Sequence, residues 1–212
     1  MAKLPRPDTH TRLIRATEDL LRESGMAGTG IKDAVARADA PIGSLYHFFP
    51  GGKAQLVEAA LEAHATRLPP LFERIFADGR DPAQAVRALF DTAAAGFDNS
   101  GADKGCAVGA VALDLRAEDK AIQRVCERVF QEWAACIAAR LPWEDHARRQ
   151  SFGEAVILGL EGAFVIARAS RSGEPFRVAG KWLSIAAESA NASSSSKRSR
   201  VSSKANAHRR KR

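Results

Sequence analysis

The residues with the clearest chemistry in this chain are clustered at positions 41–53, whose sequence is P-I-G-S-L-Y-H-F-F-P-G-G-K. Leu45 and Phe49 are four positions apart, so a helix through this stretch places both on one face, where they can anchor in a core. The hydrogen-bonding side chains on its other faces are Ser44, Tyr46 and His47. A short helix with few charges and several hydrogen-bonding side chains suits the major groove of DNA.

A Gly-rich turn and a lysine follow this predicted helix. Gly51 and Gly52 precede Lys53, where the apolar pattern predicts that a new helix begins. Backbone N–H groups at a helix start favour an anion, so we expect a DNA phosphate at Lys53, against the alternative of a solvated charge. The turn is not a Walker motif, because His47 replaces its first glycine and Ala54 replaces its Ser or Thr.

No other group of residues has the spacing of a catalytic or metal site. The five histidines are scattered, and the sequence has no G-x-S-x-G, no Cys/His constellation and no evident carboxylate pair. Cys126 and Cys136 lie about 15 Å apart along one predicted helix, too far to pair. Cys106 is more typical of a small buried residue than of a redox sensor. We therefore expect a protein that is not an enzyme and that uses no metal or cofactor.

The elements that must position this stretch form a helix-turn-helix. Gly25 ends a first helix, and Thr29 is placed to cap a second one that runs from residue 31 to about residue 38. After a three-residue turn, Pro41 lies in the first turn of the next helix, where proline is best tolerated. Two short helices joined by a tight turn are the layout of a DNA-binding helix-turn-helix.

Helical patterns continue along the rest of the chain, and no strand is predicted. A fourth helix starts at Lys53, and Pro69-Pro70 ends or kinks it. Asp78-Gly79 closes a short helix that begins at residue 71. Further apolar stripes cover residues 82–97, 105–114, 120–140, 145–170 and 176–190. We predict an all-α chain, with a three-helix DNA-binding domain at 9–54 and a helical effector-binding and dimerisation domain at 55–190.

Composition excludes several classes of protein. A hydrophobic content of 45% over 212 residues excludes a wholly disordered chain. No apolar run approaches the roughly 20 residues of a membrane span, and the N-terminus lacks the apolar region of a signal peptide. Three cysteines without a close pair fit a reducing compartment, so a cytoplasmic protein without membrane contact is predicted.

The net charge of +7 belongs to the C-terminal tail. Residues 191–212 carry eight of the 32 basic residues and no acid, which leaves 24 basic and 25 acidic residues elsewhere. We expect this Ser/Lys/Arg tail to be disordered and residues 1–8 to be a flexible basic arm. The tail has three interpretations: it adds DNA affinity by counterion release, it only solubilises the protein, or it is a nuclear-localisation signal, which it resembles in composition alone.

The helix-turn-helix resembles the DNA-binding domain of the TetR family of transcriptional repressors. That family opens its second helix with Thr, has Asp four residues later, and continues into S-x-G-T-L-Y-x-H/Y-F and K-x-x-L. The matching residues are Thr29, Asp33, Gly43, Ser44, Leu45, Tyr46, His47, Phe48, Phe49, Lys53 and Leu56. The G-C-A-V-G-A-V-A-L-D block at 105–114 and the P-G-G-K turn resemble the LmrA/YxaF-type subgroup. The likeness in layout covers about residues 9–190.

Three residues depart from the family pattern. Asp39 replaces the usual turn glycine and must accept a left-handed conformation, which Asp tolerates better than most residues. Pro41 replaces a capping Ser or Thr, and Ile42 stands where a polar or basic residue is common. These changes bear on which operator sequence is bound more than on DNA binding itself.

The resemblance implies a homodimeric repressor that binds a palindromic DNA operator and is released by a small lipophilic effector. The implied DNA-binding residues are Thr29, Lys32, Ile42, Gly43, Ser44, Tyr46, His47 and Lys53. The implied ligand-binding residues are Phe90, Cys106, Trp133 and Phe152. The helix from Asp145 and the helix with Trp182 would form the dimer face, against the alternative of packing within one chain. The alternative function is an all-α ligand-binding or interaction protein with a vestigial helix-turn-helix.

Overall fold

The computed structural model describes residues 7–77 and 80–209, with side chains as far as Asn191. These residues form ten α-helices and no strand, which confirms the all-α prediction. The helices are α1 (Thr9–Gly28), α2 (Ile31–Arg37), α3 (Ile42–Phe48), α4 (Gly52–Ala65), α5 (Pro69–Ile75), α6 (Pro82–Asn99), α7 (Ala107–Asp114), α8 (Lys120–Ala138), α9 (His146–Ser170) and α10 (Glu174–Arg209). Most of the predicted N-terminal arm, the Asp78-Gly79 helix end and residues 210–212 lie outside the described residues.

The end of α1 is interrupted at Gly25, which has a φ of 68° that only glycine adopts readily. The chain then makes one more turn to Gly28. Thr29 is buried, and its hydroxyl donates to the Gly25 carbonyl at 2.6 Å. The prediction that Thr29 caps α2 is therefore wrong. Gly30 occupies that N-cap, because the Thr29 side chain is used to hold the break in α1.

The turn between α2 and α3 is held from α1. Asp39 adopts a φ of 47°, the left-handed conformation that its place in the turn required. The Arg12 guanidinium donates to the carbonyls of Ala38 at 2.9 Å and Asp39 at 3.1 Å. Pro41 is the N-cap of α3, one residue earlier than predicted, with extended backbone. The relative placement of the two helices thus depends on contacts with α1 as well as on the turn.

Helix α4 belongs to two hydrophobic cores. Its Leu56 joins the core of the helix-turn-helix, together with Leu13, Leu45 and Phe49. One residue later, Val57 faces a larger core built mainly from α4 to α10, with Leu21 of α1. A rigid helix that packs on both sides can transmit a displacement from one core to the other.

Two helix boundaries beyond the helix-turn-helix change how the chain is divided into elements. Pro69 begins α5 instead of only ending the helix before it, because a proline at a helix start removes an N–H that has no partner there. Helix α10 continues to Arg209, where we predicted disorder from residue 191. No proline or glycine follows Gly180 in the described part of α10, so nothing in that sequence ends the helix. Asn191 belongs to the fold, since its Oδ1 accepts a hydrogen bond from Trp143 Nε1 at 2.7 Å.

Small residues let α6, α9 and α10 approach closely. Phe90 of α6 is fully buried between Gly159 of α9 and Gly180 of α10. A Cβ added at Gly180 would lie 2.5 Å from the Cβ of Phe90. Phe90 is therefore a packing residue that fixes these three helices.

Candidate DNA interface and effector cavity

Helix α3 exposes most of the side chains that the sequence predicted for DNA contact. Leu45 is fully buried, whereas Ile42 and Tyr46 are 51% and 54% exposed. His47, Gly43 and Lys32 are exposed as well, and Ser44 is half-buried. The anchoring face and the solvent face of α3 are thus separated as the sequence spacing requires. We call Lys32, Ile42, Gly43, Ser44, Tyr46 and His47 the operator face.

The other two predicted DNA contacts make bonds within the protein. Thr29 is buried, and its hydroxyl is bonded to Gly25. The Nζ of Lys53 donates to the carbonyl of Met26 at 2.7 Å, which joins the start of α4 to the last turn of α1. An ammonium group has three donors, so Lys53 retains capacity for a phosphate, and Thr29 has none pointed at the surface.

His10 supports the C-terminal end of α3, and sequence reasoning missed it. Its ring stacks on Phe49 with centroids 5.1 Å apart, and it meets Phe48 edge-on at 5.5 Å. The exposed His47 ring contacts Phe48 at 4.9 Å. No spacing in the sequence links His10 to these residues, because the contact joins α1 to α3 across 38 positions or more.

A cavity of about 300 Å³ lies beneath α4, between the helices of the larger core. Of the four predicted ligand-binding residues, Cys106 and Trp133 line it. Phe90 is in the packing described above, and Phe152 packs edge-on against Trp143 at 5.0 Å. Neither of these two lines the cavity, because aromatic spacing alone does not distinguish packing from a cavity wall. The largely apolar remainder of the wall includes Leu68, Leu71, Phe72, Leu89, Phe97, Leu160 and Phe164.

His64 connects this inner cavity to the DNA-binding unit. It lines the cavity from α4, and its Nδ1 lies 2.9 Å from Glu18 Oε1. Glu18 is a buried carboxylate on α1, and it also accepts a hydrogen bond from Arg67 at 2.8 Å. The His64 ring is edge-on to Trp133, with centroids 5.9 Å apart. A ligand that touches His64 is therefore one residue away from Glu18 of α1, and a ligand that touches Trp133 is two residues away.

Cys106 lines the cavity next to His64. Its Sγ lies 4.0 Å from His64 Nε2 and accepts a hydrogen bond from the Gly109 amide at 3.5 Å. Burial, with the nearby Glu161 carboxyl, raises the pKa of the Cys106 thiol well above its usual value. The thiol therefore stays protonated at neutral pH, which disfavours a thiolate-based sensor.

Glu161 of α9 is a carboxyl that sequence reasoning missed. Burial raises its pKa to about 7, although a hydrogen bond with Cys106 acts in the opposite direction. Glu161 lines the inner cavity and also an outer groove of about 780 Å³ along α7, α8 and α9. Its position in the sequence, beside Gly162, did not indicate a buried carboxyl, because polar residues on α9 are common.

The exposed α3 on its buried anchor, supported by α1 and α2, defines a helix-turn-helix DNA-binding protein. Two family models match the chain, "Bacterial regulatory proteins, tetR family" at residues 13–60 and "Transcriptional regulator LmrA/YxaF-like, C-terminal domain" at residues 82–182. The chain belongs to the TetR family of transcription regulators, as its helix-turn-helix sequence suggested.

Relatives resemble the chain over most of its length. It is 26% identical to the uncharacterized HTH-type transcriptional regulator YxaF of Bacillus subtilis, over 85% of this chain and 95% of that protein. It is 30% identical to the transcriptional regulator AcuR of Cereibacter sphaeroides, over 78% of this chain and 79% of that protein. Among solved structures, the regulatory protein TetR from Rhodobacter sphaeroides superposes with a TM-score of 0.74 at 26% identity, over 83% of this chain and 97% of that chain. None of the described helices is both long and apolar enough to span a membrane.

Proposed function

We propose that this regulator is a repressor that binds a palindromic operator as a homodimer and is released by a small lipophilic effector. It would act in the cytoplasm, where the operator DNA is. The observation that carries this proposal is the contact between the inner cavity and α1 through His64 and Glu18. His64 belongs to the wall that an effector would touch, and its partner Glu18 belongs to α1 of the unit that would hold DNA.

The operator face supports the DNA-binding half of the proposal. Tyr46 and His47 are exposed and offer hydrogen-bonding groups to a phosphate backbone, and Lys53 adds a positive charge at the start of α4. Ile42 offers a thymine methyl group an apolar contact. With Pro41 and Ile42 in place of polar residues, few side chains remain for direct base contacts, so DNA shape contributes to specificity.

The outer face of α9 and α10 supports the homodimer. It carries six large apolar side chains that are 39–73% exposed, more than a single chain usually leaves in water. Within each helix these residues follow helical spacing and share one face. Gly162 lies among them with no atom near its missing Cβ, so a partner helix can approach there. The six residues are Leu158, Val165 and Ile166 of α9, and Val178, Trp182 and Ile185 of α10.

Release of DNA follows because α4 packs in both hydrophobic cores. An effector that fits the cavity better in one arrangement of α4 favours that arrangement, and the shift cannot exceed its differential affinity for the two states. Because α4 carries Lys53 at one end and His64 at the other, a small rotation changes the spacing of the two α3 helices in a dimer. Operators contacted by both α3 helices tolerate little change in that spacing.

The decisive experiment selects DNA from a random pool with the full-length chain, followed by sedimentation of the protein alone and on the selected DNA. We expect an enriched inverted repeat and a mass of two chains per site, because a protein dimer with two-fold symmetry binds a DNA site with the same symmetry. Screening small apolar molecules for loss of that complex then tests the effector. A chain that enriches no DNA sequence but still binds such molecules is instead a ligand-binding protein with a vestigial helix-turn-helix.

A further inference from the structure

The wall shared by the inner cavity and the outer groove contains one carboxyl group. Five residues contribute to both spaces: Gly105, Cys106, Ile157, Glu161 and Phe164. Glu161 is mostly buried, and the Cys106 thiol is its hydrogen-bonding neighbour. A carboxylate buried in an apolar wall is costly unless a cation or several donors compensate for it.

The basic side chains of these walls all have other partners. Arg22 Nε donates to the Gly105 carbonyl at 3.0 Å, and Arg168 Nη2 donates to the Glu23 carbonyl at 2.9 Å. Lys104 Nζ lies 2.9 Å from Asp19 Oδ1. Within the described residues, no basic side chain forms an ion pair with Glu161. The cation that would compensate this carboxylate is therefore absent from the surrounding protein.

Gly109 of α7 makes room for the carboxyl group. A Cβ at this position would overlap Glu161 Oε2. The carboxyl end of Glu161 consequently lies over the α7 backbone, at the wall of both spaces. This close approach requires glycine for steric reasons and not for its backbone conformation, since Gly109 lies inside a regular helix.

Aromatic rings surround the space beside this carboxyl. Trp133, Phe72, Phe97 and Phe164 line the inner cavity together with Glu161. Aromatic faces attract cations, most strongly where water is excluded. Resting on the effector response proposed above, we propose that the effector is a hydrophobic organic cation, an amine or ammonium with an apolar body, whose charged nitrogen pairs with Glu161.

The pKa of about 7 fits this assignment. Part of the Glu161 population is protonated at neutral pH, and pairing with a cation would ionise it, so binding should release protons to the buffer. The other titratable or charged groups on the two walls are Arg22, His64, Lys104, Cys106, Glu154 and Arg168. Glu154 is exposed and borders only the outer groove, His64 faces Glu18, and the three bases have the partners given above. The Cys106 thiol keeps its proton because its pKa is raised well above the usual value, so Glu161 is the expected source of the released proton.

Calorimetry of the full chain without DNA tests the charge preference directly. The probes are 1-naphthylmethylamine, which is protonated at neutral pH, the neutral 1-naphthylmethanol and the anionic 1-naphthoate, which have similar apolar bodies. We expect the amine to bind at least roughly tenfold more tightly than the alcohol, since a buried charge-assisted hydrogen bond is worth more than a neutral one. Repeating the titration in buffers of different ionisation enthalpy measures the released protons.

Two variants test whether Glu161 is the origin of the preference for the amine over the alcohol. Glu161→Gln should reduce the amine-to-alcohol ratio to about one while keeping the affinity for the alcohol. Gly109→Ala should lower the same ratio by displacing the carboxyl, with the carboxyl still present. Glu154→Gln is the matched control, because Glu154 is an exposed acid two turns earlier on α9 that borders only the outer groove. It should leave the ratio unchanged.

The inference is overturned if wild-type protein binds the alcohol or the acid as tightly as the amine, or if it binds none of the three at millimolar concentration. It is also overturned if Glu161→Gln keeps the amine preference. An amine that binds through Glu161 but does not displace the selected DNA leaves the cation site at Glu161 standing and removes the release step from the proposed function.

Discussion

The operator face and the inner cavity are built in opposite ways. Residues 41–53 supply nearly all of the operator face from one continuous segment, and its side chains extend into water. The cavity wall takes His64, Cys106 and Glu161 from three helices, and Glu18 supports it from a fourth. Changes on the operator face should therefore affect binding without affecting the fold, whereas changes at the cavity should affect both.

The largest effect should come from the charge of Glu161. Because burial raises its pKa to about 7, the folded chain binds more protons than the unfolded chain between pH 4.5 and 7. The free energy of unfolding should therefore fall as pH rises through this window, by about 3 kcal/mol for this group. Urea unfolding of Glu161→Gln at fixed protein concentration should show a variant more stable than wild type at about pH 8 and similar to it at about pH 5.

That comparison isolates the effect of the Glu161 carboxyl on stability, because all other titrating groups are common to both proteins. If Glu161→Gln is less stable than wild type at both pH values, the carboxyl is compensated in the folded protein and the cavity wall does not carry an unpaired acid.

Tyr46→Ala should produce the next largest effect, on binding alone. Loss of a hydrogen bond to a charged phosphate removes about 1.5–3 kcal/mol, or roughly a ten- to hundredfold loss of operator affinity at fixed salt. The free energy of unfolding should change by no more than about 0.5 kcal/mol, because the side chain is exposed. Tyr46→Phe separates the hydroxyl from the ring. Unchanged operator affinity in Tyr46→Ala would remove Tyr46 from the DNA interface.

Glu18→Gln tests whether the two regions are coupled. The variant keeps the shape and an acceptor for His64 but loses the buried charge, so we expect a stability loss of about 1 kcal/mol. A probe that releases DNA from wild type should release it less well from the variant, measured as the concentration needed for half release. Glu62→Gln is the control, since Glu62 of α4 pairs with Arg128 at the surface, neither residue lines the cavity, and the change should matter little. An identical response in Glu18→Gln would exclude the His64–Glu18 contact as the route of coupling.

The smallest effect at moderate salt should come from the tail. Deletion should begin at residue 192, because Asn191 bonds to Trp143 and to Asp81. If the tail binds DNA, deleting it should make the slope of log affinity against log salt shallower by roughly 0.9 for each phosphate that the tail neutralises. Without the tail, an unchanged slope would favour a solubilising role.

The contrast between the operator face and the inner cavity also explains which side-chain positions could be predicted from the sequence. Ile42, Leu45 and Tyr46 were assigned to the correct faces of α3 because a helix fixes the direction of each side chain within one turn. Thr29 was wrongly assigned as the N-cap of α2, because its hydroxyl bonds to Gly25, a partner set by the break in α1. Phe90 and Phe152 were expected at a cavity, although their neighbours are the glycines of other helices and Trp143.

Sequence alone determined the helices, the helix-turn-helix and the family, because these depend on local spacing and on side chains within about one turn of each other. Only the tertiary structure placed Glu18 beside His64, and Glu161 over Gly109 beside Cys106. Those partners are 46 or more positions apart along the chain, and burial changes their chemistry. An acid that looks like ordinary surface charge in the sequence becomes, inside an apolar wall, a carboxyl group whose pKa is raised to about 7.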